Sequence, residues 1–348
     1  MHDFLSQAGG AERVVLELAR MFPASPIYTS FYAPDRTYAE FAATDIRTSR
    51  LQGHIDPDRF RSAALRYPGA FRALDLSEFD AVVVSTSAFA HHVAHERAFV
   101  FWHTPPRFLY DTAAYDLPRW QARLTAPVFS YLRAGDRRAA KRHWSYAANS
   151  ADTAQRLRHV YGCDARVVHP PLWTDHLPRH LAPPPPRPRA LVVSRLLPYK
   201  RIDVAVRACT LAGIPLTVVG EGPEEAQLRS QGGSDVEFLG RLDDRELAAI
   251  FADHSVVLVP GRQDFGYSTL EANYAGRPVV ALAEGGSLET VIDGVTGRLV
   301  EGTDAQRWAS VLREVHERDW SPEELRRTTE PFQTEPFRLA VRRWVSET

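Results

Sequence analysis

This sequence predicts two doubly wound α/β domains joined by a proline-rich linker. Three observations lead there. At 348 residues the chain is too long for one ordinary core and suits two of about 100 to 200 residues each. Short apolar runs alternate with longer amphipathic ones, the pattern of a parallel sheet covered by helices. Between the halves lies LAPPPPRPR, residues 181–189, a stiff extended segment with no hydrogen-bonded structure of its own. The expected division is a first Rossmann-like domain over 1–182, the linker over 183–189, a second Rossmann-like domain over 190–330, and a final helix within 331–348 packing back on the first domain.

In the second half, ALVVSRL (190–196), PLTVVGEG (215–222), VEFLGR (236–241), VVLVP (256–260) and RPVVALAEGG (277–286) read as strands. Helices are expected to begin near Lys200, Pro223, Asp243, Ser268 and Ser287. In the first half, DAVVVSTS (80–87), AFVFWHT (98–104), HWSYAANS (143–150) and ARVVHPP (165–171) have the same character, and a helix covers roughly 10–21. That helix should follow a central strand, yet only MHDF precedes the loop at Gln7–Gly10. A missing central strand leaves ladder groups unpaired at about 1 to 3 kcal/mol each. The expectation is therefore that the first strand is absent and the native start lies upstream of Met1. A ligand is expected at the carboxyl ends of the strands, in the cleft between the two domains.

Composition is that of a globular protein, 44% apolar and 24% charged, with no apolar run long enough to span a bilayer. The first residues do not read as a signal peptide. Cys163 and Cys209 are the only cysteines, which suggests a reducing cytoplasm rather than a disulfide framework. A net charge of −1 argues against a dedicated nucleic-acid binder. Residues 1–182 carry 22 Lys and Arg against 18 Asp and Glu, so the basic surplus sits in the first half. Lys141 and Lys200 are the only lysines.

Four loops could carry chemistry. In VVSRLLPYKRID a strand ends at Arg195 and a helix starts near Lys200, so two cations and a set of helix N–H groups would surround one small volume, an anion site. The plainer reading is two solvated surface charges. In PGRQDFGYSTLEANYAGRPVV, Ser268 and Glu271 have the spacing of a capping box, and Glu271 could equally accept hydrogen bonds from a ribose diol. Gly266 there permits close backbone approach or simply makes a turn. GEGPEE, with Gly220, reads as ordinary helix-start chemistry, and AEGGSLET ends a strand with Gly285–Gly286 before a helix at Ser287. Gly9–Gly10 is the counterpart in the first half. His103, in FVFWHTPPRFLYD, follows a strand and is either structural or a sugar ligand.

Other signals are discounted. His91, His92 and His95 lack a nearby Cys or carboxylate set and read as a partly exposed helix start. Asp56–Pro57–Asp58 matches the Asp-x-Asp of metal-dependent transferases, but so short a pattern arises by chance. Arg133, Arg137, Arg138, Lys141 and Arg142 read as a solvated helix face, with peripheral contact to anionic lipid at the inner face of the membrane as the minority reading. No P-loop, no Gly-x-Ser-x-Gly and no Gly-x-Gly-x-x-Gly turn occurs, against nucleotide-hydrolase, esterase and dehydrogenase readings.

Taken together, SRLLPYKR, VVGEGPEEAQL, FLGRLDDREL, DFGYSTLEANYAGRPVV and GGSLETVIDGVTGRLV resemble the donor domain of glycosyltransferase family 4, the retaining GT-B enzymes. GGAERVVLELA, FWHTPPRFLYD and NSADTAQRLRHVYG resemble the first domain of its mannosyltransferase-like members. The resemblance implies a GT-B fold, a nucleotide-sugar donor, retention at the anomeric carbon, and no cofactor or divalent metal. It implies that Arg195 and Lys200 hold the diphosphate and Glu271 the ribose. It also implies that Gly10 lies near the phosphates, that His103 lies beside the donor sugar, and that Gly285, Gly286, Gly266 and Gly220 line the donor site. Gly9, Arg107, Tyr110 and Asp111 fall on the acceptor side. The family's paired-glutamate motif has Glu eight residues before Glu271, whereas this chain has Gln263. GDP-mannose is the first donor expected and UDP-hexoses the next, with a glycan, glycolipid or small natural product as acceptor in polysaccharide biosynthesis or a related route. The alternatives are a sugar-nucleotide binder without transfer activity, motivated by Gln263, and a GT-B epimerase or phosphorylase.

Overall fold

The apolar runs form parallel strands in both halves of the chain. A computed structural model describes residues 1–57, 60–111, 119–142, 145–178, 180, 181, 183, 185 and 187–347. It divides into two units, Met1–Pro170 with Phe337–Thr348, and Pro171–Pro336.

In the first unit, α1 (Gly10–Met21) precedes β1 (Ile27–Thr29) and β2 (Ile46–Thr48), which pair in parallel. After α2 (Tyr67–Arg72) come β3 (Val82–Thr86), β4 (Ala98–Trp102), α3 (Arg107–Tyr110), α4 (Arg119–Ala140), β5 (Ser145–Ala148), α5 (Ala151–Tyr161) and β6 (Arg166–Val167). The sheet runs β3-β4-β5-β6, all parallel. Strand β4 is buried at every position, as its unbroken apolar run requires. Helix α5 starts on Ser150, whose side chain accepts the Thr153 amide, and stops at Gly162 in the left-handed region at φ 72°.

The expected absence of a central strand is corrected. Residues 1–5 lie between β1 and β3, where His2 bridges both Thr29 and Ser85, and Leu5 bridges Tyr32. The neighbouring ladder groups are met: His2 N donates to Tyr28 O, Ser85 N to Met1 O, and Ala33 N to Leu5 O. What fixes so short a segment is Asp3, 1% exposed. Its carboxylate accepts the amides of Ser87, Ala88, Phe89 and Ala90 at 2.6 to 2.9 Å and the Thr86 hydroxyl at 3.1 Å.

The second unit contains β7 (Ala190–Val193), α6 (Ile202–Ala212), β8 (Leu216–Val219), α7 (Glu225–Gln231), β9 (Val236–Gly240), α8 (Asp244–Ala252), β10 (Val256–Val259), α9 (Tyr267–Tyr274), β11 (Val279–Leu282), α10 (Ser287–Thr290), β12 (Gly297–Val300), α11 (Ala305–Glu317) and α12 (Pro322–Arg327). Its six strands run β12-β11-β10-β7-β8-β9, all parallel. Helix α8 carries a complete capping box between Asp243 and Glu246.

The division falls at Pro170 and Pro171, ahead of the proline-rich segment expected to make it, of which Ala182, Pro184 and Pro186 lie outside the described residues. Leu172 and Leu177 are buried with Val257, Val259 and Phe265, and Leu172 N donates to Phe332 O at 2.6 Å, so the chain joins the second core before the prolines begin. It returns through α13 (Thr334–Ser346), crossing to the first unit at Phe337 rather than at 331. Phe337, Val341 and Trp344 bury against Val14, Leu18, Phe99 and Phe101, and Arg338 Nε donates to the buried Glu17 at 2.6 Å. Each such fully buried apolar side chain contributes about 1.5 to 3 kcal/mol.

Asp3→Ala strands four backbone amides and is expected to lower stability by at least about 3 kcal/mol. Urea unfolding followed by tryptophan fluorescence measures it. An unchanged midpoint would mean that water caps these amides equally well.

Candidate functional site

In the second unit, the chain leaves β7 toward β8 on one side and leaves β10 toward β11 on the other. Because parallel crossovers are right-handed, the helices that follow these neighbours lie on opposite faces of the sheet, opening a crevice at their carboxyl ends. Val193, Ser194, Lys200, Pro260, Gln263 and Ser268 line it.

Lys200 is half-buried there, and its Nζ donates to Gln263 Oε1 at 2.6 Å. Gln263 Nε2 in turn donates to Gly261 O at 2.7 Å. An ammonium can only donate and a carbonyl can only accept, so the two bonds fix the amide's orientation. Arg195 is exposed and gives Nη2 to Tyr199 OH at 3.3 Å; it does not line the hollow. The expected set of helix N–H groups is also modified. Residues 198–200 form a 3₁₀ turn, and the amides of Lys200, Arg201 and Val204 bond to Leu197, Pro198 and Arg201 carbonyls. An anion here would therefore meet side-chain cations more than free amides.

Helix α9 corrects another expectation. Its N-cap is Gly266, at φ 106°, so Ser268 is inside the first turn and no capping box forms. Ser268 Oγ instead donates to Val193 O at 3.2 Å, tying α9 to the end of β7. Glu271 stands in the second turn and is buried, with His176 Nε2 3.5 Å from its Oε1. Nothing in the sequence pattern had singled out His176.

The glycines are explained by backbone packing. A Cβ on Gly285 would lie 2.3 Å from Gln263 O, and one on Gly286 2.1 Å from Phe265 O. Gly286 N donates to Gln263 O at 2.9 Å, so the glycine pair lets the 263–265 loop nest against it. At Gly220 a Cβ would meet Ser194 O at 1.9 Å.

In the first unit, Gly9 is the N-cap of α1, which begins at Gly10. His103 follows β4 with Nε2 2.8 Å from Ser85 Oγ, and is 8% exposed. Arg107 pairs with Asp111 at 3.6 Å. The Tyr110 hydroxyl donates to Asp136 Oδ2 at 2.7 Å. Burial and the Asp136 charge raise its phenol well above the ordinary range.

His91 and His92 are buried rather than part of an exposed helix start, and Asp136 Oδ1 lies 2.9 Å from His91 Nε2 and 3.9 Å from His92 Nε2. A carboxylate does therefore join the histidines, the only cluster of three or more His, Cys, Asp or Glu among the described residues whose donor atoms all lie within 4.8 Å of one another. Burial and the nearby His91, Arg72 and Arg142 push His92 down to about 2, so it is neutral. Asp136 Oδ2 also takes the Tyr161 hydroxyl at 2.8 Å, so this carboxylate joins α3, α4 and α5 as a core hub. Asp58 of the Asp-x-Asp match lies outside the described residues. In the basic run, Arg133 Nε donates to Leu109 O at 2.6 Å, Arg142 Nη1 to Val93 O at 3.1 Å, and Arg137 lies over the Tyr110 ring. Arg138 and Lys141 are exposed. No helix among the described residues is long and apolar enough to cross a membrane.

Comparison with known proteins agrees with this architecture. A model of glycosyltransferase family 4 matches residues 8–176, and one of glycosyl transferases group 1 matches residues 174–331. D-inositol 3-phosphate glycosyltransferase of Mycolicibacterium paratuberculosis is 34% identical over 188 residues, covering 47% of this chain and 42% of the relative. The Mycobacterium tuberculosis protein of that name is 33% identical, covering 47% and 39%. The chain thus spans less than half the length of these relatives. Sucrose-phosphate synthase from Thermosynechococcus elongatus shares the fold at a TM-score of 0.74 and 18% identity, over 99% of this chain and 98% of that one. Anabaena HepE in complex with UDP-glucose does so at 0.73 and 17%, over 100% and 99%. With a family match on each half and the fold shared end to end, the chain belongs to glycosyltransferase family 4 and has the GT-B fold.

Proposed function

We propose that this chain is a retaining hexosyltransferase that takes its sugar from a nucleoside diphosphate sugar, delivers it to a hydroxyl, and needs no divalent metal. The observation that carries this reading is the Lys200 ammonium at the β7–β10 reversal, held by a neutral partner. Gln263 fixes its position without cancelling its charge. As the bond from the anomeric carbon to phosphate stretches, its electrons pass to the diphosphate, and Lys200, with Arg195 turning from Tyr199, meets that charge with little reorganisation. The acceptor oxygen forms the new bond on the same face, and its proton goes to the departing phosphate oxygen.

Glu271 holds the ribose diol, with His176 beside its carboxylate. His103 and Gly10 serve the donor sugar and phosphates, and Arg107, Asp111 and Gly9 serve the acceptor. GDP-mannose and UDP-hexoses are the first donors to test; the HepE structure with UDP-glucose supports the latter. A glycan, glycolipid or small natural product serves as acceptor.

Lys200→Ala is expected to lose at least tenfold in turnover, since one phosphate-directed donor contributes roughly 2 to 4 kcal/mol. Near-normal turnover in the folded variant would remove Lys200 from the reaction. Gln263→Glu keeps an acceptor for Lys200 but adds a charge, so the fold should persist and the donor KM should rise more than kcat falls. Identical kinetics across donors would take Gln263 out of the donor site. A panel of UDP-, GDP- and dTDP-sugars in EDTA should give donor-dependent release of nucleoside diphosphate. Release that appears only on adding magnesium or manganese would overturn metal independence.

A further inference from the structure

We propose that Glu12, His2 and Ser85 form a buried chain that holds His103 as its Nδ1–H tautomer, making the three positioning residues for the reaction. The inference rests on the reading that His103 faces the donor sugar. Two separate stretches of the first unit converge on Ser85. His2 Nδ1 lies 3.0 Å from Ser85 Oγ and 3.1 Å from Ser85 O, and His103 Nε2 lies 2.8 Å from Ser85 Oγ. His2 and Ser85 are 1% and 0% exposed.

The proton positions follow from what each atom can do. Ser85 O is a carbonyl and only accepts, so His2 Nδ1 carries a hydrogen. That nitrogen therefore cannot accept from Ser85. The Ser85 hydroxyl hydrogen is left with one acceptor, His103 Nε2. Nε2 must then offer its lone pair, which puts the hydrogen of the neutral ring on Nδ1.

The far end of the chain is anchored. His2 Nε2 lies 3.6 Å from Glu12 Oε1, which also accepts Gln7 Nε2 at 3.0 Å. Glu12 is 1% exposed, and its Oε2 is buried without a hydrogen-bond partner. A Cβ on Gly9 would come within 2.8 Å of that Oε2, so glycine at position 9 makes room for the carboxylate. His103 thus enters the reaction as a hydrogen-bond donor through Nδ1. Acting as a base there would require the whole chain to reverse.

The experiment is two-bond ¹H–¹⁵N NMR on ¹⁵N-histidine-labelled protein, with His103 assigned by His103→Gln. The expected spectrum has His103 Nε2 unprotonated and Nδ1 protonated, and Ser85→Ala should mix the two tautomers. In the transfer assay Ser85→Ala should lose about tenfold or more in kcat with little change in donor KM, and Ser85→Thr should restore most of it. A wild-type His103 with its proton on Nε2, or a Ser85→Ala protein with unchanged tautomer and kcat, overturns the chain. The wild-type spectrum needs no substrate. The expected tautomer in a protein that transfers no sugar would therefore refute the proposed function while leaving the proton arrangement intact.

Discussion

Strand order in the second unit reverses between β7 and β10, and most of what surrounds Lys200 follows from that reversal. Two helices leave neighbouring strands on opposite faces, so the loops at the strand ends have no helix between them. They pack backbone against backbone. Gly220 lies on Ser194, Gly261 on Tyr199 and Lys200, and Gly285 and Gly286 on Gln263 and Phe265, each too close for a Cβ. Loops locked this way leave Lys200 and Gln263 little freedom, and low freedom is what electrostatic stabilisation of a leaving group requires.

The first unit is held differently, by buried acids. Asp3 gathers four backbone amides, Glu17 takes Arg338 and Arg20, and Asp136 takes two tyrosine hydroxyls. A buried carboxylate is costly unless donors meet it, and each of these takes at least one donor from a distant part of the chain. Asp3 and the ladder bonds around it let a five-residue stretch stand where a full strand was expected.

Sequence carried the sheets of both units because long apolar runs such as AFVFW and VVLV can only be buried strands. It missed β1, β2 and β12, which are three or four residues long with mixed burial. The capping box expected at Ser268 did not form, because Gly266 starts α9 two residues earlier, whereas α8 carries one between Asp243 and Glu246. The rarity of lysine pointed to position 200, but its bond to Gln263 joins residues 63 positions apart, which no local pattern encodes. His91 and His92 were misjudged for one reason. Asp136 lies outside their local stretch, and only the packed helices bring it to them. The domain boundary was drawn at the most conspicuous composition break, after residue 182, while the first unit ends twelve residues earlier, at Pro170.

The return of α13 has a consequence for biosynthesis. The second unit is one continuous segment whose core needs no later residue. The first unit is translated earlier but lacks Phe337, Val341 and Trp344 until the last stretch emerges. In the cell, the half made first is therefore the half finished last, and the apolar surface awaiting those three side chains is what a chaperone would have to shield in the interval.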